Sequence, residues 1–104
     1  MNLADLFLEI KDERLSRGAL ESYEQRLAHL YGEYMLRIAT LKKAEALFFY
    51  AKEQQNPELP DIKIKRIWKA SDEGIDLTQK EIEVKAISKI LSSIRSRIYQ
   101  TPNY

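Results

Sequence analysis

The segment from Ile62 to Lys69, IKIKRIWK, contains four basic residues, no acidic residue and the only tryptophan of the chain. Lys and Arg side chains neutralise the phosphates of a nucleic-acid strand, and aromatic rings stack on its bases. A competing interpretation is that the tryptophan anchors the segment in a helical core while the lysines are merely solvated. The candidate nucleic-acid-binding residues of this segment are Lys63, Lys65, Arg66, Trp68 and Lys69.

No constellation of catalytic residues is recognisable. The only histidine, His29, follows a helical pattern beside Leu27 and Leu30, which indicates a partly buried helix residue. The three glycines are too scattered to form a phosphate-binding loop, and the absence of cysteine excludes thiolate chemistry, disulfides and cysteine-based metal sites. We therefore expect a binding protein that is not an enzyme and needs no cofactor or metal ion.

The composition is that of a globular chain, with 104 residues, 44% hydrophobic and 32% charged. This length predicts a single helical domain over residues 1–104. The net charge of +1 does not by itself indicate a nucleic-acid binder, but from Val84 onward the sequence has four basic residues and no acidic one. No apolar run is long enough to span a membrane and no signal peptide is recognised, so we expect a cytoplasmic protein without a membrane partner.

The periodicity of apolar residues predicts a mainly α fold. Residues 1–17 contain a short amphipathic N-terminal helix, with a break expected at Gly18. A long helix follows over residues 19–55 and ends before the two prolines of NPELPD. Its apolar positions alternate by threes and fours, as in a coiled-coil seam, and they are Leu27, Tyr31, Tyr34, Ile38, Leu41 and Phe48.

The second half of the chain is predicted to contain a basic connector over residues 56–70 and a C-terminal helix over 71–100. Ile62 and Ile64 alternate with lysines, which favours a short extended strand in the connector. Ser71 is a candidate N-cap of the last helix, and Thr78 with Glu81 offers an alternative start. The last helix is expected to fold back along the long one.

The length of the central helix predicts self-association. About 37 helical residues span roughly 55 Å, whereas a compact domain of this size has a radius of gyration of about 13 Å. Even with the last helix folded back, one side of the seam would stay open, and an exposed apolar stripe of this length commonly meets another copy. We therefore expect the six seam residues to form the interface of a homo-oligomer.

Three stretches together resemble the UvsY family of phage recombination mediators. They are the tyrosine-bearing helix HLYGEYMLRIATLKKAEALFFYAKEQQ, the segment IKIKRIWKASDEGI that leads into an acidic helix start, and the terminal helix EIEVKAISKILSSIRSRIYQ. The family has basic residues just before its aromatic pair. Those positions are Ala44 and Ala46 here, and the nearest basic residues are Lys42 and Lys43, which the resemblance adds to the candidate nucleic-acid contacts.

The resemblance implies a helical protein that assembles into a ring, binds single-stranded DNA and helps to load a RecA-like recombinase onto strands covered by single-strand-binding protein. It would act in the host cytoplasm if it is encoded by a phage. A ring would multiply a weak basic patch by the number of subunits and so raise its avidity.

The alternative hypothesis is a coiled-coil protein-interaction module without nucleic-acid binding, such as a phage inhibitor or an assembly adaptor. It requires only the open apolar seam. The density of cations in the connector favours the single-stranded DNA-binding hypothesis.

Overall fold

The structure, a computed structural model, describes residues 3–11 and 15–101 and consists there of four helices without a strand. The last helix contacts the long second helix, so the predicted mainly α fold with a fold-back of the last helix is confirmed. The helices are α1 (Leu3–Ile10), α2 (Arg17–Gln55), α3 (Asp61–Ala70) and α4 (Asp72–Gln100).

The ends of the first two helices differ from the prediction. α1 ends at Ile10, well short of residue 17, and the parts of the predicted helix at residues 1–2 and 12–14 lie outside the described residues. The predicted break at Gly18 is wrong, because Gly18 lies in the first turn of α2. The residue before the helix, Ser16, is its N-cap, because its Oγ accepts a hydrogen bond from the Ala19 amide at 3.2 Å.

The predicted extended connector is also wrong, because residues 61–70 form α3. A strand would place Ile62 and Ile64 on the same face, whereas Ile64 is fully buried and Ile62 is 61% exposed. Ile64 and Trp68, four residues apart, share one face of a helix, and both are buried. The burial of this pair decides the conformation, and Pro60, with φ of −63°, begins the helix at its N-cap.

The chain divides into two compact units, of which the first comprises residues 1–31 and 87–104. The prediction of a single domain stays a prediction. Tyr23 donates a hydrogen bond to Glu9 at 2.8 Å, and Arg97 donates to the carbonyl of Ile10 at 2.6 Å, which satisfies an acceptor in the last turn of α1. The buried apolar residues of this unit are Leu6, Ile10, Leu20, Leu27, Ile87, Leu91 and Ile94.

The second unit comprises residues 32–86 and therefore contains the C-terminal part of α2, all of α3 and the start of α4. Arg37 on α2 and Asp76 on α4 form an ion pair at 2.9 Å, and Lys80 pairs with the same carboxylate at 3.1 Å. The core of this unit is formed by Ile38, Leu41, Trp68 and Leu77, with Ala44, Phe48, Phe49 and Val84 packed against them.

Candidate nucleic-acid interface

The solvent-facing side of α3 is basic. Ile64 and Trp68 turn toward the core, so the remaining positions of this ten-residue helix face outward or sideways. All four of its cations are exposed, and none forms an ion pair with a residue that the structure describes. We call these residues the α3 cations: Lys63, Lys65, Arg66 and Lys69.

A tight joint holds α3 against α4. Ser71 is the only residue between the two helices, and its hydroxyl donates to the carbonyl of Trp68 at 2.5 Å and accepts from the amide of Gly74 at 3.1 Å. The hydroxyl thus caps the end of α3 and the start of α4 together, which confirms Ser71 as the N-cap. Thr78, the alternative start, lies inside α4 and donates to the Gly74 carbonyl at 3.1 Å.

Gly74 allows the start of α4 to lie in close contact with the backbone at the end of α3. A Cβ atom at this position would overlap the carbonyl oxygen of Trp68 and lie 2.7 Å from its carbonyl carbon. Its φ is not positive, so the need for glycine comes from the close approach and not from a left-handed backbone. The joint therefore fixes the direction in which the α3 cations point.

Trp68 is a core residue, which excludes the predicted stacking role in this conformation. Its side chain is 4% exposed, and its ring lies against that of Phe48, with centroids 5.5 Å apart. A base stacks on an open ring face, and the ring of Trp68 is covered by its own chain. Trp68 is therefore removed from the candidate nucleic-acid contacts, and the part of the competing interpretation that makes Trp68 a core anchor is confirmed.

The two neighbouring lysines of α2 lie on different sides of the helix. Both Lys42 and Lys43 are exposed. The face of α2 that carries Ile38 and Leu41 packs against Trp68, and Lys42 lies at the edge of that face. Lys43 lies on the opposite face, so it is separated from the α3 cations. Four of the seven predicted nucleic-acid-binding residues are therefore exposed on one helix, α3.

The predicted oligomer interface lies partly inside the chain itself. Leu27, Ile38 and Leu41 are at most 5% exposed, so the chain buries them without a second copy. They are reached by a partner only if the helices separate. Tyr31, Tyr34 and Phe48 are half-buried. An interface role for these three aromatic residues stays a prediction.

Two groups between α2 and α4 have displaced pKa values. The carboxyl of Asp76 has its pKa lowered from 3.8, because Lys80 and then Arg37 donate hydrogen bonds to its charged form. Burial raises the pKa of the Tyr34 hydroxyl to about 12, and its hydrogen bond to Glu83 adds to the shift. Both groups are accounted for by helix–helix contacts and need no catalytic role.

Two exposed apolar faces were not predicted. The outer face of α2, defined by Leu36, Lys43, Leu47 and Tyr50, has its three non-ionic members between 62% and 73% exposed. On α4, Ile75 and Ile82 are 54% and 64% exposed and line a shallow groove. In the sequence, Leu36, Lys43 and Tyr50 recur at intervals of seven residues. The lysine in the middle is typical of a polar surface, so this spacing does not indicate an apolar face.

The described residues contain no group of three acidic, histidine or cysteine side chains placed to hold a metal ion. His29 is exposed, which corrects the expectation of partial burial. None of the four described helices is both long and apolar enough to cross a bilayer.

The comparisons with known proteins give no relative: no protein-family model, no curated protein and no solved structure matches this chain. The resemblance to the UvsY family therefore stays a prediction from the sequence.

Proposed function

We propose that this protein binds the phosphate backbone of a nucleic acid through the α3 cations, and that single-stranded DNA is the form it binds. The observation that carries the proposal is the concentration of four exposed cations on one ten-residue helix, none of them in an ion pair with a described residue. The choice of single-stranded DNA, and the further role in loading a RecA-like recombinase onto strands covered by single-strand-binding protein, rest on the sequence resemblance alone.

The size of the patch limits the affinity of one chain. Four cations neutralise at most four phosphates, which corresponds to a salt slope of at most about −3 for a single strand at roughly −0.7 per phosphate. Because Trp68 is buried, the patch has no aromatic ring on which a base could stack. We therefore expect weak, sequence-independent binding by each chain, and tight binding only when several chains engage one strand.

The test is the fluorescence anisotropy of a labelled single-stranded oligonucleotide, titrated with protein at several salt concentrations. The variant Lys65→Ala/Arg66→Ala should weaken binding and bring the slope toward zero by about 1.4, at roughly 0.7 per phosphate contact. The matched control is Lys89→Ala/Arg95→Ala, which removes the same net charge from two exposed positions of the first unit. An equal loss in both variants would show a general charge effect and contradict a site on α3.

The second candidate function is a protein-interaction module, which the outer face of α2 favours. Leu36, Leu47 and Tyr50 are each more than 60% exposed, and a helix that presents such a stripe suits helix-in-groove recognition. Leu36→Ser and Leu47→Ser should abolish partner capture without affecting the fold, since both side chains lie in solvent. A partner protein that is pulled down by the wild type after nuclease treatment, but not by these variants, would favour this function over DNA binding.

A further inference from the structure

The outer face of α4 in the second unit has the form of a short helix-pairing seam. Ile75 and Ile82 are separated by seven residues, and Gln79 lies between them at spacings of four and three. Ala86 continues the stripe by one more step. Thr78 and Glu83, together with Lys69 from α3, complete the lining of the shallow groove on this face. The proposed nucleic-acid contact leaves this apolar groove unexplained.

The two edges of this seam carry opposite charges. One edge faces α2 and is acidic through Asp72 and Glu83, of which Glu83 accepts a hydrogen bond from Tyr34. The carboxylate of Asp76 on the same edge already pairs with Arg37 and Lys80. The other edge begins where Gly74 meets the end of α3, and it carries Lys69 and, farther along α4, Lys85. This segregation decides how a second copy of the same surface can approach.

Two identical helices can pair face to face in either direction. In an antiparallel pair each edge meets the same edge of the other helix, so acidic residues would face acidic residues and lysines would face lysines. In a parallel pair each edge meets the opposite edge, so Lys69 and Lys85 of one copy lie toward the acidic edge of the other on both sides of the seam. Opposite charges at these flanking positions set the direction of helix pairing.

We propose that the outer face of α4 is the contact through which two copies of this chain pair, with their α4 helices parallel and in register. Each isoleucine then packs on its own equivalent, and the two Gln79 side chains meet at the centre. A polar pair at one seam position fixes register, since any slip would bury the amides against isoleucine. The proposal rests on the α4 face and on Lys69 of α3, and it does not require that the protein binds nucleic acid.

The pairing is expected to be weak. The seam runs for about three turns and contributes two large apolar side chains from each copy, which places it at the low end of stable interfaces. The dimer should therefore form in a concentration-dependent manner. It would place the two sets of α3 cations at the same end of the seam, one on each side, where a single strand can contact both.

The test is sedimentation equilibrium over a wide range of protein concentration. Ile82→Ser should raise the dimer dissociation constant by about tenfold or more. Ile62→Ser is the matched control, because Ile62 is 61% exposed on α3 and Ile82 is 64% exposed. A protein that stays monomeric at every concentration, or an equal effect of the two variants, would overturn the proposal and leave the face to a helix of another protein.

Cysteine cross-linking determines the direction of pairing, since the chain has no cysteine of its own. In the parallel pair, Ile75→Cys alone should form a disulfide-linked dimer on mild oxidation, because the two positions meet. In an antiparallel pair position 75 meets position 82, so Ile75→Cys alone would stay unlinked and would cross-link only when mixed with Ile82→Cys. That second pattern would overturn the parallel arrangement.

Discussion

The indole ring of Trp68 lies against the phenyl ring of Phe48, with centroids 5.5 Å apart and the ring planes tilted by 52°. On α2, Phe48 is also in edge-to-face contact with its neighbour Phe49 at 6.4 Å, so the ring that receives Trp68 is itself supported by a second ring. Tilted and edge-to-face pairs are favourable beyond the area that they bury. Together with the burial of Ile64, this contact anchors the helix that carries the α3 cations.

Replacement of Trp68 should affect stability and not the proposed DNA binding. We expect Trp68→Ala to lower the free energy of unfolding by about 3–5 kcal/mol, because it leaves a large cavity in the core of the second unit, and Trp68→Phe to cost less. Urea denaturation followed by circular dichroism measures both. A Trp68→Ala protein that stays folded and has lost the proposed DNA binding would restore the stacking role.

Alanine substitutions at two glycines should have opposite effects. Gly74→Ala places a methyl group against the Trp68 carbonyl and should destabilise the protein by about 2 kcal/mol or more. Gly32→Ala is the control: nothing lies within 4 Å of its added Cβ, and the site is inside α2, so it should stabilise by about 0.5–1 kcal/mol. Thermal unfolding of both variants measures the difference, and equal effects would contradict the described joint.

The Tyr34 hydroxyl should contribute to stability at neutral pH and lose that contribution in alkali. Its pKa is raised from 10.0 to about 12 in the folded protein, so the folded state holds the proton more tightly than the unfolded state. The stabilisation is complete below pH 10 and declines as the pH rises toward 12.

Tyr34→Phe isolates this effect, because it removes the titrating group and the hydrogen bond to Glu83. We expect a loss of about 1 kcal/mol at pH 7. The difference in unfolding free energy between wild type and variant should shrink between pH 10 and pH 12. A difference that stayed constant over that range would show that the hydroxyl has no special environment.

The ion pair between Arg37 and Asp76 should couple α2 to α4 only modestly. The two side chains are 49% and 29% exposed, and exposed pairs of this kind contribute about 0.2–1 kcal/mol. A double-mutant cycle with Arg37→Ala and Asp76→Ala measures the coupling, which should fall as salt is added. A coupling that does not change with salt would mean that the pair is shielded from solvent.

The helices could be predicted from the sequence because apolar spacing and caps act locally. Ser71 was identified as an N-cap from its position before two acidic residues, and the structure confirms it. Residues 62–69 were misassigned because isoleucines at 62 and 64 fit a strand, and only the burial of Ile64 with Trp68 selects the helix. That burial depends on contacts with α2, which are distant in sequence.

The sequence predicts the positive charge of the candidate site, but it does not predict whether the Trp68 side chain points inward or outward. The α3 cations were found from composition alone, since lysine and arginine rarely face a core. The direction of the single tryptophan was open, because the same residue type serves as a core anchor and as a stacking surface. The outer face of α4 is not evident from the sequence for a related reason: Ile82 has the residue type of a core position, whereas the structure leaves it 64% exposed.

The single-residue joint at Ser71 makes α3 and α4 a rigid elbow. The Ser71 hydroxyl is hydrogen-bonded to both helices, and there is no space for a side chain at Gly74. These contacts restrict the angle between α3 and α4. A polyanion would therefore meet a preorganised array of charges and would need to immobilise only lysine and arginine side chains. Association should then depend strongly on counterion release and little on backbone ordering, which predicts a small heat-capacity change on binding.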